Sequence, residues 1–78
     1  MEYADQLRKN LQKLVDSGVY SVIELAGHAG VTRATIYDFL HSRLKDLGSS
    51  KVMSLAKGLD LTVEELMEKE VRIPAKSA

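Results

Sequence analysis

Val22-Ile23-Glu24-Leu25-Ala26-Gly27-His28-Ala29-Gly30-Val31-Thr32-Arg33-Ala34-Thr35-Ile36-Tyr37-Asp38-Phe39-Leu40-His41 reads as two short helices joined by a tight turn. Just before it, Ser21 and Glu24 have the spacing of a capping box, in which the serine hydroxyl satisfies the third helical amide and the glutamate reaches back to the cap. Leu25, Ala26 and Ala29 then form an inward stripe, and Gly30 stops the helix, supplying the left-handed conformation cheaply. Thr32 follows as an N-cap for a helix whose apolar positions, Ile36, Phe39 and Leu40, recur at i, i+3, i+4. Two helices so short, separated by so tight a turn, must cross steeply. That crossing requires a small residue where they touch, which Ala26 provides, and a glycine in the turn, Gly30. Leu25, Ala29, Val31, Ile36 and Phe39 seal the pair from above. With its core face so occupied, the later helix carries Arg33, Ala34, Thr35, Tyr37, Asp38 and His41 on its other face.

The rest of the chain reads the same way. Upstream, Tyr3, Leu7, Leu11, Leu14 and Val15 fall at helical spacing, with Asp5, Arg8, Lys9, Gln12 and Lys13 on other faces. Ser17-Gly18 closes this first helix. Val19 to Ile23 is β-prone in composition, but the capping box and the Leu-Ala pattern after it favour a helix start. Downstream, Gly48-Ser49-Ser50 resets the chain, and Val52, Leu55, Ala56 and Leu59 mark a fourth helix. Thr62 and Glu65 make a second capping box, opening a short fifth helix with Val63, Leu66 and Met67. The expected fold is all-α, a compact five-helix bundle over residues 1–70, followed by a tail, 71–78, that is flexible or joins a dimer contact.

Composition narrows the function classes. At 78 residues, 45% apolar and 28% charged, the chain suits one globular domain with a small core. It has no cysteine, so neither disulfides nor thiolate metal sites hold it together. Its apolar runs are far too short for a membrane span, and its first residues lack the regions of a signal peptide, so the cytoplasm is the expected compartment. His28 and His41 have no Cys, His or Glu partner at ligand spacing; both read as exposed polar residues, and no metal or cofactor is expected. No phosphate loop, nucleophile elbow or buried acid pair is evident, so no enzyme is expected. Net charge is zero, but its distribution is uneven. From His28 to Lys57 the basic residues Arg33, Arg43, Lys45, Lys51 and Lys57 face Asp38 and Asp46, a balance of +3. From Gly58 to Glu70, Asp60, Glu64, Glu65, Glu68 and Glu70 face Lys69, a balance of −4. A neutral chain so arranged can present a positive face to phosphates.

Leu25-Ala26, Ala29-Gly30-Val31, Thr32-Arg33, Thr35-Ile36 and Phe39 fit, without a gap, the helix-turn-helix of the lambda-repressor-like domains, the Xre/Cro family of bacterial and phage regulators, which the chain resembles. The segment Leu55-Ala56-Lys57-Gly58-Leu59-Asp60-Leu61-Thr62-Val63-Glu64-Glu65-Leu66 is similar to that family's junction between helices four and five. The resemblance covers roughly residues 4–68. The chain differs in having Val22 where a polar residue often opens helix two, Leu40 where Glu is frequent, and Asp60 where Gly is usual. The loop from Ser42 to Gly48 is also slightly longer than is common.

The resemblance implies a sequence-specific DNA-binding regulator, a repressor, with helix three in the major groove. Base contacts would then come from Arg33, whose planar fork suits guanine, and from Ala34, Thr35 and Asp38. Phosphate contacts would come from the helix starts at Ser21 and Thr32 and from Tyr37, Arg43, Lys45 and Lys51. The expected partner is double-stranded DNA, with no membrane and no evident small-molecule ligand. One module this small makes a limited contact, which argues for a homodimer on a two-fold operator. Leu66, Met67, Val71 and Ile73 are the apolar residues for such a dimer surface, although Leu66 and Met67 serve equally well to close the monomer core. The alternative function is a protein-interaction module, antitoxin-like or antirepressor-like, which the neutral charge and acidic fifth helix favour.

Overall fold

The computed structural model describes residues 3–68 and Val71, which form five helices and no strand among them. The helices are α1 (Tyr3–Asp16), α2 (Val22–Ala29), α3 (Arg33–Leu40), α4 (Ser49–Gly58) and α5 (Val63–Leu66). Helix α2 packs on both α3 and α4, α1 lies against α3, and α5 closes on α4. Both capping boxes form. Ser21 Oγ accepts the Glu24 amide at 3.1 Å while Glu24 Oε1 accepts the Ser21 amide at 2.9 Å. Thr62 and Glu65 repeat the arrangement at 3.0 and 2.9 Å. Gly30 ends α2 with φ +73°, a conformation that any side chain would strain.

One core runs through the bundle. Leu7, Leu11 and Leu14 of α1 meet Val22, Leu25, Ala26 and Ala29 of α2, Ile36 and Phe39 of α3, Val52, Leu55 and Ala56 of α4, and Leu66 of α5. Leu47 and Leu59 complete it from the connections. Val22 thus serves the core where a polar residue was the familiar alternative. Leu40 is half-buried against the same core, so the apolar side chain at that position adds packing.

Several residues take other places than the periodicity suggests. Tyr3, grouped with the core stripe of the first helix, is 49% exposed. Partial burial, then the nearby Asp46 carboxylate, raise its phenol pKa above the ordinary value. The buried stripe of α1 instead includes Asn10, the one buried polar residue among those described. Its amide nitrogen donates to the Leu66 carbonyl at 2.7 Å and the Glu68 carbonyl at 2.9 Å, and its oxygen accepts from Gln6 at 3.0 Å. The end of α5 carries carbonyls without helical partners; Asn10 satisfies that of Leu66, and that of Glu68 just beyond the helix, from α1.

Arg8 also turns inward rather than to solvent. Its Nε donates to the Phe39 carbonyl at 2.7 Å, its guanidinium lies 4.8 Å from the Phe39 ring centre, and Asp5 pairs with it at 2.8 Å. A cation placed on the carbonyl end of a helix complements the partial negative charge there, so Arg8 fastens α1 to the end of α3.

His28 is half-buried rather than exposed. Its ring meets Tyr20 edge-on at 6.2 Å, and its carbonyl accepts the Ser54 hydroxyl at 2.7 Å. Gly58 makes room for it: a Cβ at position 58 would fall 2.6 Å from the His28 Cβ. Leu66 and Val71 are buried in the monomer core and Met67 is half-buried. Leu66 and Val71 are thus part of this chain's own core. Ile73, the remaining member of that set, lies outside the described residues.

Candidate nucleic-acid interface

The outer face of α3 is set by its two ends. At the start, the Thr32 hydroxyl accepts the Thr35 amide at 3.2 Å and also lies 2.9 Å from the Thr35 hydroxyl. Thr32 is therefore the N-cap expected of it, and Thr35 enters the first turn with its hydroxyl already engaged. At the other end Ser42 adopts a left-handed backbone, φ +63°. This folds the chain back so that the amides of Arg43 and Leu44 both donate to the Asp38 carbonyl, at 2.7 and 3.0 Å. The motif is a Schellman-type stop made with serine in place of glycine.

Between these ends, Ile36 and Phe39 point into the core while Arg33, Ala34 and Tyr37 are exposed and Asp38 is partly so. Thr32, Arg33, Ala34, Tyr37, Asp38 and Arg43 line one open concavity of about 740 Å³. Arg33, Ala34 and Asp38 of the base-contact set thus share this concavity along the outer face of α3, whereas Thr35 is outside its lining and only half-exposed. Arg33 is exposed and has no side-chain partner among the described residues. Tyr37 stacks on His41 with the rings 9° from parallel and 6.3 Å apart, which orients the tyrosine on the same outer surface.

The sequence-derived phosphate set is spread more widely. Ser21 and Thr32 are exposed, but their hydroxyls are occupied as caps, so what they offer a phosphate is the helix start itself. Lys45 lies exposed in the α3–α4 loop and Lys51 exposed in the first turn of α4. Arg43 departs from the expectation of a free cation: its Nε pairs with Asp38 Oδ1 at 3.1 Å. Asp38 and Arg43, assigned to different tasks on sequence, form one unit. Nothing in helical periodicity announces this pair, because it depends on the left-handed turn at Ser42. The inward positions of Asn10 and Arg8 had weak signals, a polar residue on an apolar stripe and an arginine beside one.

Among the described residues no cluster of three His, Cys, Asp or Glu side chains is placed to hold a metal ion. None of their helices is long and apolar enough to cross a membrane. Another concavity, between α4 and α5, is lined by Met53, Ala56, Lys57, Asp60, Leu61, Thr62, Val63 and Glu65; no site residue expected from the sequence lies in it.

No curated protein and no solved structure matches the chain. Residues 10–70 match the Cro/C1-type HTH DNA-binding domain, a non-enzymatic family of DNA binders. That match spans α2, the turn, α3, α4 and α5 in order, the same elements that build the surface just described, and the chain belongs to the family of Cro/C1-type helix-turn-helix DNA-binding domains.

Proposed function

We propose that the chain is a sequence-specific transcriptional repressor that lays α3 in the major groove of duplex DNA. The observation that carries this is the outer face of α3. Arg33 has no side-chain partner there among the described residues, beside exposed Ala34 and Tyr37, and none of the three is part of the core. A helix with small and hydrogen-bonding residues on its free side fits the major groove, where an arginine fork can donate to both O6 and N7 of guanine. Ala34 and the methyl of Thr35 suit apolar contact with a thymine methyl. The starts of α2 and α3, with Lys45, Lys51 and Tyr37, would flank the groove on the phosphate side.

Two copies on a two-fold operator, with half-sites about one helical turn apart, would supply the contact area that one small module lacks. Repression requires only occupancy of a promoter, whereas activation requires a further surface for the transcription machinery. The acidic residues of α5 favour a position away from the phosphates.

Selection of bound duplexes from a random pool at moderate salt tests the proposal. A palindromic consensus with half-sites roughly ten base pairs apart is expected. Replacing Arg33 by Ala should cost roughly 1–3 kcal/mol and relax one base position. Failure to enrich any sequence, with no binding even at low salt, would refute the reading and leave the antitoxin-like or antirepressor-like role.

A further inference from the structure

Of the basic residues between Arg33 and Lys57, Arg43 is the one held by a carboxylate among the described residues. The contact is side-on: Nε donates to Asp38 Oδ1 at 3.1 Å, and neither Nη nitrogen donates to a described residue. Backbone geometry enforces the meeting, since the Arg43 amide is bonded to the Asp38 carbonyl at 2.7 Å through the left-handed turn at Ser42. Both side chains line the concavity that also holds Arg33.

Stability does not account for the pair, because both side chains are at least half exposed and exposed ion pairs contribute little. Nor does phosphate anchoring. A phosphate contact gains from net positive charge and counterion release, and a carboxylate at 3.1 Å subtracts from both. A base-edge contact gains instead from a planar fork held in one orientation. Resting on the proposed docking of α3, we infer that Asp38 is a positioning residue that holds Arg43 by Nε so that its free Nη edge reads a guanine. Arg43 is then a specificity determinant rather than a phosphate anchor, and Asp38 acts through it instead of reading a cytosine. The domain would carry two arginine forks, an exposed one at the start of α3 and an oriented one just past its end.

The test is duplex selection followed by titration of the enriched duplex and of an unrelated duplex across a salt series. It compares the wild-type protein with Asp38→Ala, Asp38→Asn, Arg43→Ala, Arg43→Lys and the double variant Asp38→Ala/Arg43→Ala. Asp38→Ala and Arg43→Ala should relax the same base position, with the ratio of specific to non-specific affinity falling roughly 10- to 100-fold. Asp38→Ala should also tighten non-specific binding, whereas Arg43→Ala should weaken it. Asp38→Asn retains an oxygen that accepts from Nε and should restore most of the ratio. Arg43→Lys keeps the charge without the fork and should not restore it. In the Arg43→Ala background, Asp38→Ala should change the ratio no further. An unchanged consensus and ratio in Asp38→Ala would overturn the inference while leaving the docking of α3 intact. So would a loss of the same size in the Arg43→Ala background, which would make Asp38 itself the base reader. Absence of any consensus for the wild-type protein would overturn both. Thermal unfolding of each variant separates these outcomes from misfolding, and Asp38→Asn and Arg43→Lys carry the test if an alanine variant is unfolded.

Discussion

Asn10 joins the first helix to the last through a single side-chain amide, and its replacement by alanine gives a loss that can be worked out bond by bond. The amide donates to the Leu66 carbonyl at 2.7 Å and to the Glu68 carbonyl at 2.9 Å. The Leu66 bond is buried, so removing its donor leaves a carbonyl that water does not readily reach, at a cost of about 1–3 kcal/mol. The Glu68 end is only partly buried, and water can replace much of what is lost there, leaving roughly 0.5–1 kcal/mol. Gln6, which donates to Asn10 at 3.0 Å, also reaches the Glu68 carbonyl at 3.3 Å and keeps one partner. Together these give about 1.5–4 kcal/mol, a large part of the 5–15 kcal/mol that holds an ordinary domain together. For a chain of this size the thermal midpoint should fall by about 6–30 °C. Urea unfolding followed by circular dichroism, with native-state hydrogen exchange of the α5 amides, measures both size and place. Asn10→Asp should be worse than Asn10→Ala at neutral pH, because a carboxylate would face two carbonyls without a proton to donate. A loss below about 1 kcal/mol for Asn10→Ala, or an Asn10→Asp variant as stable as the wild-type protein, would refute the reasoning by showing that these carbonyls do not depend on Asn10.

Other substitutions probe other joints of the bundle. Gly58→Ala brings a Cβ to 2.5 Å from His28 Nδ1 and 2.6 Å from its Cβ. A clash with an atom so near the backbone forces α2 and α4 apart, so about 1–3 kcal/mol should be lost despite alanine's better helix propensity; in a His28→Ala background the loss should shrink or reverse, as a double-mutant cycle in urea would show. Arg8→Lys keeps the charge but not the fork that serves Asp5 and the Phe39 carbonyl together, and should cost about 1–2 kcal/mol by chemical denaturation. Asp60→Gly relieves a left-handed backbone at φ +59°, and the thermal midpoint should rise by an amount corresponding to up to about 1 kcal/mol.

What could be read from residue order is what depends on local chemistry. Ser21 with Glu24, and Thr62 with Glu65, announce their helix starts because each cap satisfies donors only three residues away. Gly30 announces the turn, since the left-handed conformation there is cheap for glycine alone. The spacing of Leu25, Ala26 and Ala29 against Ile36 and Phe39 places α2 across α3, and the outer face of α3 follows by subtraction. What could not be read depends on residues far apart in the chain, or on turns made without glycine. Asn10 and Arg8 have their partners at Leu66, Glu68 and Phe39, so only docking of α1 turns them inward. His28 is covered because Gly58, on another helix, lacks a side chain. Leu66 and Val71 are apolar enough for a dimer contact, and whether they face outward is settled by how much core the other helices leave unfilled. Asp38 and Arg43 meet because Ser42 takes a left-handed conformation that serine does not advertise. Caps and periodicity are enforced within a few residues, whereas partners across helices are chosen by packing, which exists only once the bundle has closed.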